Sequence, residues 1–481
     1  MECLMSFSSL QEALGASLFA GEGKQKIEFN SSGFSSVSID SRTLEPGALF
    51  VALKGCKQDG HSFVDAAFKA GACGAMVTLS ALNDPVFSLL SLAQKCNRVL
   101  IAVEDTLKGL QEAAGAYLKQ FSNLIKIGIT GSAGKTTTKE IAAAIIGNEK
   151  SVVMNKGNMN SETGLPLSVF EVRPHHEVGI FEAGMNRPGE IAELAKVLNP
   201  YISLITNIGS AHIGILGSRE AIAEEKKKIF SVFTGSNIAM IPEDDEYRNF
   251  LADDIKGRIV FYGPSSISAF GGARDMGLAG TEITWNGETV RFPLPGKFNL
   301  INALAAAALA LELPVSASSI RRGFESVKPL FGRGEILYGK TTVIRDCYNS
   351  SPESVMKALD FCDSLQWPGR KIYVLGSMLE LGGISEEAHA ALGKRLSSCQ
   401  AVKIFLFGKE IKVAAEVLEG NKLNSPLSTL NSQFFFTEDM KELSKEMDDY
   451  VMTGDLVLLK GSRGCVLETL TEMLLGEDHV S

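Results

Sequence analysis

The sequence predicts an α/β protein of three domains: a small N-terminal α/β domain, a central domain on a mostly parallel sheet, and a smaller open α/β domain at the C-terminus. Length carries the first part of that expectation, since 481 residues exceed what one hydrophobic core usually organises. Pattern carries the second. Strand-length apolar runs alternate with helix-length amphipathic stretches, as in a sheet covered on both faces.

Three stretches separate along the chain. Residues 1–105 hold short apolar runs (Ala48–Leu53, Ala75–Leu79, Val99–Val103) between glycine-rich turns. Residues 106–333 open with a helix-like stretch over Leu107–Phe121 and then alternate. Strands are expected at Leu124–Ile129, Val178–Phe181, Tyr201–Thr206 and Ile238–Ile241, and helices at Thr136–Ile146, Gly189–Leu198, Glu220–Phe230 and Leu300–Leu313. Residues 334–481 repeat the rhythm, with strands at Thr342–Arg345, Lys371–Leu375, Val402–Phe407 and Leu456–Leu459 and a helix near Glu386–Leu396.

A hydrophobic content of 45% with 21% charged residues is that of a globular protein. The net charge of −9 argues against nucleic acid or an anionic membrane surface as partner. The most apolar run, Ala303–Leu311, falls well short of the about 20 residues that a bilayer requires. The N-terminal residues do not read as a secretory signal. Eight cysteines at 3, 56, 73, 96, 347, 362, 399 and 465 form no CxxC pair, which suits reduced thiols. A cytoplasmic monomer without membrane insertion is the expectation.

The sharpest motif is Thr130-Gly131-Ser132-Ala133-Gly134-Lys135-Thr136-Thr137, between an apolar strand and a helix. Glycines allow backbone N–H groups to turn inward on a phosphate, and the helix N-terminus adds its positive end. Lys135 can neutralise β- and γ-phosphates while the Thr136 hydroxyl reaches Mg²⁺. The common form GxxxxGK[ST] would place glycine at 129, where Ile129 stands, so the loop is a variant. ATP and Mg²⁺ are the expected ligands.

Other candidates follow the loop. Glu182 ends an apolar strand, where a carboxylate beside a phosphate loop can hold Mg²⁺ through hard oxygen. Taken alone, His212 is more often structural. Lys226 lies in Glu224-Glu225-Lys226-Lys227-Lys228, a run that by itself suggests a solvated helix face.

The loop form, with the segments that follow in the same order, resembles the Mur ligases of bacterial cell-wall synthesis and covers nearly the whole chain. Those segments are Phe181-Glu182-Ala183-Gly184-Met185-Asn186-Arg187-Pro188, Thr206-Asn207-Ile208-Gly209-Ser210-Ala211-His212, Gly296-Lys297-Phe298-Asn299-Leu300-Ile301-Asn302-Ala303 and Phe331-Gly332-Arg333-Gly334-Glu335. The strip Ser38-Ile39-Asp40-Ser41-Arg42 resembles that family's UDP-sugar-binding domain. Two further strings resemble the member that adds the last peptide unit: Gly157-Asn158-Met159-Asn160 with Gly164-Leu165-Pro166-Leu167, and Asp346-Cys347-Tyr348-Asn349-Ser350-Ser351-Pro352-Glu353-Ser354. The chain departs from the family pattern at Phe298, Arg345, Ser351 and Ser377.

The resemblance implies a UDP-binding N-terminal domain, a P-loop ATPase-like central domain and a Rossmann-like C-terminal domain. It implies an ATP-dependent amide ligase working through an acyl-phosphate, with UDP-N-acetylmuramoyl-tripeptide and D-alanyl-D-alanine as substrates. The implied roles are catalysis for Lys135, His212, Lys226 and Arg333, and metal binding for Thr136, Glu182, His212 and Lys226, the last as a carbamate. ATP would meet the loop from Gly131 to Thr137 with Asn299, Asn302, Arg333 and Asp346. Ser41, Arg42, Asn158, Asn160, Tyr348 and Asn349 would meet the other substrates. Open alternatives are a diamino-acid-adding Mur ligase, a folylpolyglutamate synthetase-like ligase, and a non-catalytic nucleotide-binding scaffold.

Overall fold

The computed structural model describes residues 3–19, 33–424 and 433–476. Near the N-terminus, a five-stranded sheet has the order Ser17–Phe19, Val99–Val103, Gly74–Thr78, Ala48–Val51, Ser36–Ser38. Its first pairing is antiparallel and the rest are parallel.

The middle of the chain forms a six-stranded sheet of order Arg258–Tyr262, Ile238–Pro242, Ile202–Ile205, Ile125–Thr130, Val178–Glu182, Val152–Met154. All its pairings are parallel. Both faces are covered. On one, Ile127 and Ile129 pack with Ile141 and Ile145 of the helix Lys135–Ile146 and with the alanines of the helix Lys297–Leu311. On the other, Phe181 packs with Ile191 and Leu194 of the helix Glu190–Leu198. Burial on two sides is why these strands carry no polar alternation.

Strand order positions the site. From Ile125–Thr130 the chain runs to the edge strand, returns beside its start as Val178–Glu182, then crosses to the other side as Ile202–Ile205. The carboxyl ends of three adjacent strands therefore deliver Gly131, Glu182 and Thr206 to one crevice, the usual ligand position in such sheets.

A three-stranded antiparallel sheet (Phe270–Asp275, Thr281–Trp285, Glu288–Phe292) caps this region and was absent from the sequence expectation. Its signal was present: Asn286-Gly287, both at positive φ, is the favoured two-residue hairpin turn. The expected helix Leu300–Leu313 is observed as Lys297–Leu311, and a second helix, Ala317–Ser326, follows before Pro329.

The last sheet has the order Glu335–Tyr338, Thr342–Asp346, Leu456–Lys460, Lys371–Gly376, Lys403–Phe407, Gln433–Thr437. Only its first pairing is antiparallel. The helices Pro352–Ser364 and Met440–Tyr450 add to the expected one, which spans Ser385–Leu396.

Candidate active site

The phosphate loop turns where only glycine fits. Gly131 and Gly134 have φ of +147° and +80°, and a Cβ on them would strike the Thr206 hydroxyl and the Asn302 carboxamide. The helix Lys135–Ile146 starts directly after Gly134 with no side-chain cap, leaving its first N–H groups for an anion. Asn207 holds the rest of the turn. Its carbonyl accepts from Ser132 N at 2.9 Å, its side-chain oxygen accepts from Ala133 N at 3.0 Å, and its amide donates to Ala133 O at 2.8 Å. Those two loop amides thus point at Asn207, a residue the sequence reading passed over.

Charge is unbalanced here. Lys135 Nζ and Lys226 Nζ both donate to the carbonyl of Gly131, at 2.8 and 2.9 Å. Lys226 is 1% exposed, so the solvated-face reading does not hold for it. Its neighbours do point outward, Lys227 to the Phe250 carbonyl at 2.8 Å and Lys228 to Glu225 at 2.7 Å. Burial, and then the nearby charge of Lys135, push the Lys226 amine well below its ordinary value. Burial also lowers Lys135, with Glu182 opposing and Arg333 adding to the effect.

Glu182, also buried, accepts from the Thr136 hydroxyl at 2.7 Å and from the Asn160 amide at 2.6 Å. Asn160 therefore joins the Glu182 cluster directly. Behind Glu182 stands Asn155, another residue not singled out from sequence. It accepts from Glu182 N at 2.8 Å and donates to Met159 O at 2.8 Å, while buried Lys139 donates to its carbonyl. The strand end and the Asn158–Asn160 turn are thereby tied together; the Asn158 carbonyl accepts from Asn160 N at 2.8 Å.

His212 sits at φ +67°. Its Nδ1 is buried without a hydrogen bond, although Glu380 Oε2 lies 3.4 Å away. Burial, then the Lys135 and Lys226 charges, pull its pKa down to about 4, so the ring is neutral at pH 7 with a nitrogen unengaged. The Thr136 hydroxyl and the Glu182 carboxylate are hard-oxygen donors that suit Mg²⁺, which commonly takes one or two carboxylates plus phosphate and water.

The remaining candidates fall into two groups. Asn299 and Asn302 are buried against the loop. Asn299 donates to the Pro295 carbonyl at 2.8 Å, Asn302 donates to Asn299 at 3.4 Å, and Thr138 donates to Asn302 at 3.4 Å. The Arg333 guanidinium lies 4.0 Å over the Tyr348 ring. Asp346 pairs with Lys460 at 2.9 Å; burial raises its carboxyl and Lys460 opposes. Asn349 accepts from Lys460 through its carbonyl at 2.8 Å. Ser41 and Arg42 follow the strand Ser36–Ser38 of the N-terminal sheet, and Arg42 pairs with Asp40 at 2.6 Å in solvent.

Residues 33–118 match the Mur ligase family, catalytic domain; residues 129–310 the Mur ligase middle domain; residues 332–463 the Mur ligase, glutamate ligase domain. The UDP-N-acetylmuramoyl-tripeptide–D-alanyl-D-alanine ligase of Treponema pallidum (strain Nichols) is 42% identical over 446 residues, 92% of this chain and 95% of that protein. The chain belongs to the Mur ligase family.

The Bacillus subtilis (strain 168) ligase of the same name is 34% identical, over 91% of this chain and 93% of its own length. Among solved Mur ligases, MurF from Acinetobacter baumannii superposes with a TM-score of 0.84 at 26% identity, covering 98% of each chain. MurF ligase from Thermotoga maritima in complex with ADP gives 0.74 at 28% identity, covering 91% of this chain and 96% of that one.

The departures from the Mur ligase pattern are accommodated locally. Arg345 pairs with Glu335, directly opposite in the antiparallel hairpin, at 2.6 Å and stacks 4.1 Å over Phe331. Ser351 caps the helix Pro352–Ser364 in a reciprocal capping box with Ser354. Ser377 Oγ accepts from Ile411 N at 3.1 Å. Phe298 lines a small cavity with Pro295 and Asp346.

Proposed function

We propose that this Mur ligase joins D-alanyl-D-alanine to UDP-N-acetylmuramoyl-tripeptide at the expense of ATP, the reaction named for its Treponema pallidum and Bacillus subtilis relatives. The terminal phosphoryl group of ATP passes to the tripeptide carboxylate, giving ADP and an acyl-phosphate. The dipeptide amine attacks that carbonyl, inorganic phosphate leaves, and the amine's proton is lost as the amide forms.

One structural observation carries the reaction class: the half-buried Lys135 amine and the buried Lys226 amine converge on the Gly131 carbonyl beside Glu182. A site so arranged is short of negative charge, which a triphosphate supplies. Lys135 and the turn from Gly131 to Thr137 would take the phosphates. Thr136 and Glu182 would hold Mg²⁺, which neutralises phosphoryl charge when bound. His212 would serve a second ion together with Lys226, whose neutral amine can add CO₂ and release a proton, becoming a carbamate. Arg333 would reach phosphate, and Asp346 with Asn299 and Asn302 would border the nucleotide. Ser41, Arg42, Asn158 and Asn160 would serve the UDP-linked substrate, and Tyr348 with Asn349 the dipeptide. The working units are residues 1–105, 106–333 and 334–481. Among the described residues no helix is long and apolar enough to cross a membrane, and we place the enzyme in the cytoplasm with its nucleotide-linked substrate.

The test is a phosphate-release assay with ATP and Mg²⁺, in which UDP-N-acetylmuramoyl-tripeptide and D-alanyl-D-alanine are omitted in turn. Release is expected only with both present. Equal turnover with a diamino acid on the UDP-linked dipeptide, or with glutamate on a folate, would replace this reading with the corresponding ligase.

A further inference from the structure

The loop after the third crevice strand, Asn207 to Gly214, is held from two sides. On the phosphate side, Gly209 N donates to Ser132 Oγ at 2.8 Å, in addition to the bonds that Asn207 makes to Ser132 and Ala133. On the other side it is hydrogen-bonded to the third region at two points, with His212 Nδ1 also 3.4 Å from Glu380 Oε2. The Glu353 carboxylate accepts from Ser210 N at 2.9 Å and from Ser210 Oγ at 2.8 Å, 143 residues away in sequence. Gly214 N donates to the Glu380 carbonyl at 3.1 Å.

The second contact is backbone on backbone. A Cβ on Gly214 would lie 2.6 Å from both the Glu380 carbonyl oxygen and Gly382 N; a Cβ on Gly382 would lie 2.6 Å from Gly214 Cα. Gly214 lies in the short helix Ile213–Leu216 at a φ that any residue adopts, so glycine there answers to the facing chain and not to local strain. The opposing turn is rigidly held. Met378 N donates to His389 Nε2 at 3.1 Å, Leu379 N donates to Ser462 Oγ at 2.9 Å, and Glu380 is fixed at φ +64°.

We propose that Glu353 and the Gly214–Gly382 contact are the positioning elements that dock the dipeptide-binding region onto the phosphate loop. In this arrangement the Asn207–Gly214 loop is the shared part. Ser132 and Asn207 set its shape from the nucleotide side, and Glu353 reads that shape from the helix directly after Tyr348 and Asn349. The amine donor is thus brought to the acyl-phosphate only when the loop is in its docked form. The inference rests on the proposed function for the identity of the two ligands but not for the contact itself.

Glu353→Ala, Glu353→Gln and Gly214→Ala test this in the full-length enzyme, with calorimetric titration of ADP, small-angle scattering in saturating ADP and Mg²⁺, and steady-state kinetics. Glu353→Ala and Gly214→Ala should bind ADP within about twofold of wild type yet scatter with a larger radius of gyration. Their kcat should fall on the order of 10²-fold, as expected for misplaced reactants, with the dipeptide KM raised and the ATP KM little changed. Glu353→Gln can accept from Ser210 N and donate to Ser210 Oγ, so it should stay near wild type. Unchanged radius and kcat in both losing variants would overturn the proposal. So would loss of ADP affinity, or a Gln variant as impaired as Ala, since either assigns Glu353 to charge at the nucleotide. A wild-type enzyme that ignores D-alanyl-D-alanine would instead sink the proposed function, while the scattering arm would still decide the docking.

Discussion

The central and last sheets are both six strands wide, and each brings lysine to the carboxyl ends of its strands. In the last sheet, Lys460 is buried against Asp346 at 2.9 Å and the Asn349 carbonyl at 2.8 Å, so its charge is matched on the spot. In the central sheet, Lys135 and Lys226 share one carbonyl and their amines are lowered by burial. A buried cation normally costs several kcal/mol unless paired. The matched lysine therefore belongs to the fold, whereas Lys135 would belong to a ligand that brings negative charge and Lys226 to the chemistry of a neutral amine.

The sharpest break of that comparison is Lys135→Ala. Turnover should fall by at least about 10²-fold, the scale of losing one stabilising donor at a developing charge. The melting temperature should change little, because Lys135 is only half-buried and donates to a single backbone carbonyl. A variant that retained more than a tenth of wild-type turnover would remove the phosphate-loop assignment.

Lys226→Ala comes next, with activity lost and partly restored by a small carboxylic acid diffusing into the vacated space. Lys227→Ala and Lys228→Ala should be nearly silent in the same assay. An essential neighbour, or a silent Lys226→Ala, would contradict the burial seen here.

Lys460→Met should do the reverse of Lys135→Ala. It strands the Asp346 carboxylate and should cost roughly 3 kcal/mol in urea unfolding, the penalty for removing one member of a buried pair. Nucleotide affinity should change far less than stability.

The smallest effect is a pH dependence in the last region. Burial lowers the pKa of His389, whose Nε2 accepts from Met378 N. The unfolded chain then binds the extra proton first, so the associated stability is present above about pH 6.5 and is lost as pH falls below it. Unfolding free energies at pH 7.5 and 5.5 should drop more for wild type than for His389→Gln; equal drops would refute this.

Much of the fold was legible because its signals are local. The strand runs fell within a residue or two of their observed positions, and Gly131, Gly134 and Lys135 announced the loop by composition and order. The antiparallel sheet went unread because its strands expose part of their length and form no continuous apolar run, although Asn286-Gly287 marked its turn. Asn207 and Asn155 went unread for another reason. An asparagine that accepts from and donates to backbone outside its own element, 74 residues away for Asn207 and 27 for Asn155, leaves no periodic trace.

Lys226 shows where the two kinds of information divide. Its place on the apolar face of its helix was in the sequence, four residues after Ile222 and three before Ile229, both buried. Helical spacing narrows the run to Lys226 and Lys227, since Lys227 likewise stands four residues after Ala223 and three before Phe230, both buried. What that face meets was not there. The Gly131 carbonyl lies 95 residues earlier, and only the order of parallel strands brings it within 2.9 Å of the amine. Local periodicity left Lys226 and Lys227 as the candidates for the inside. Strand order, a global outcome of burying both sheet faces, chose the charges it would face and hence its chemistry.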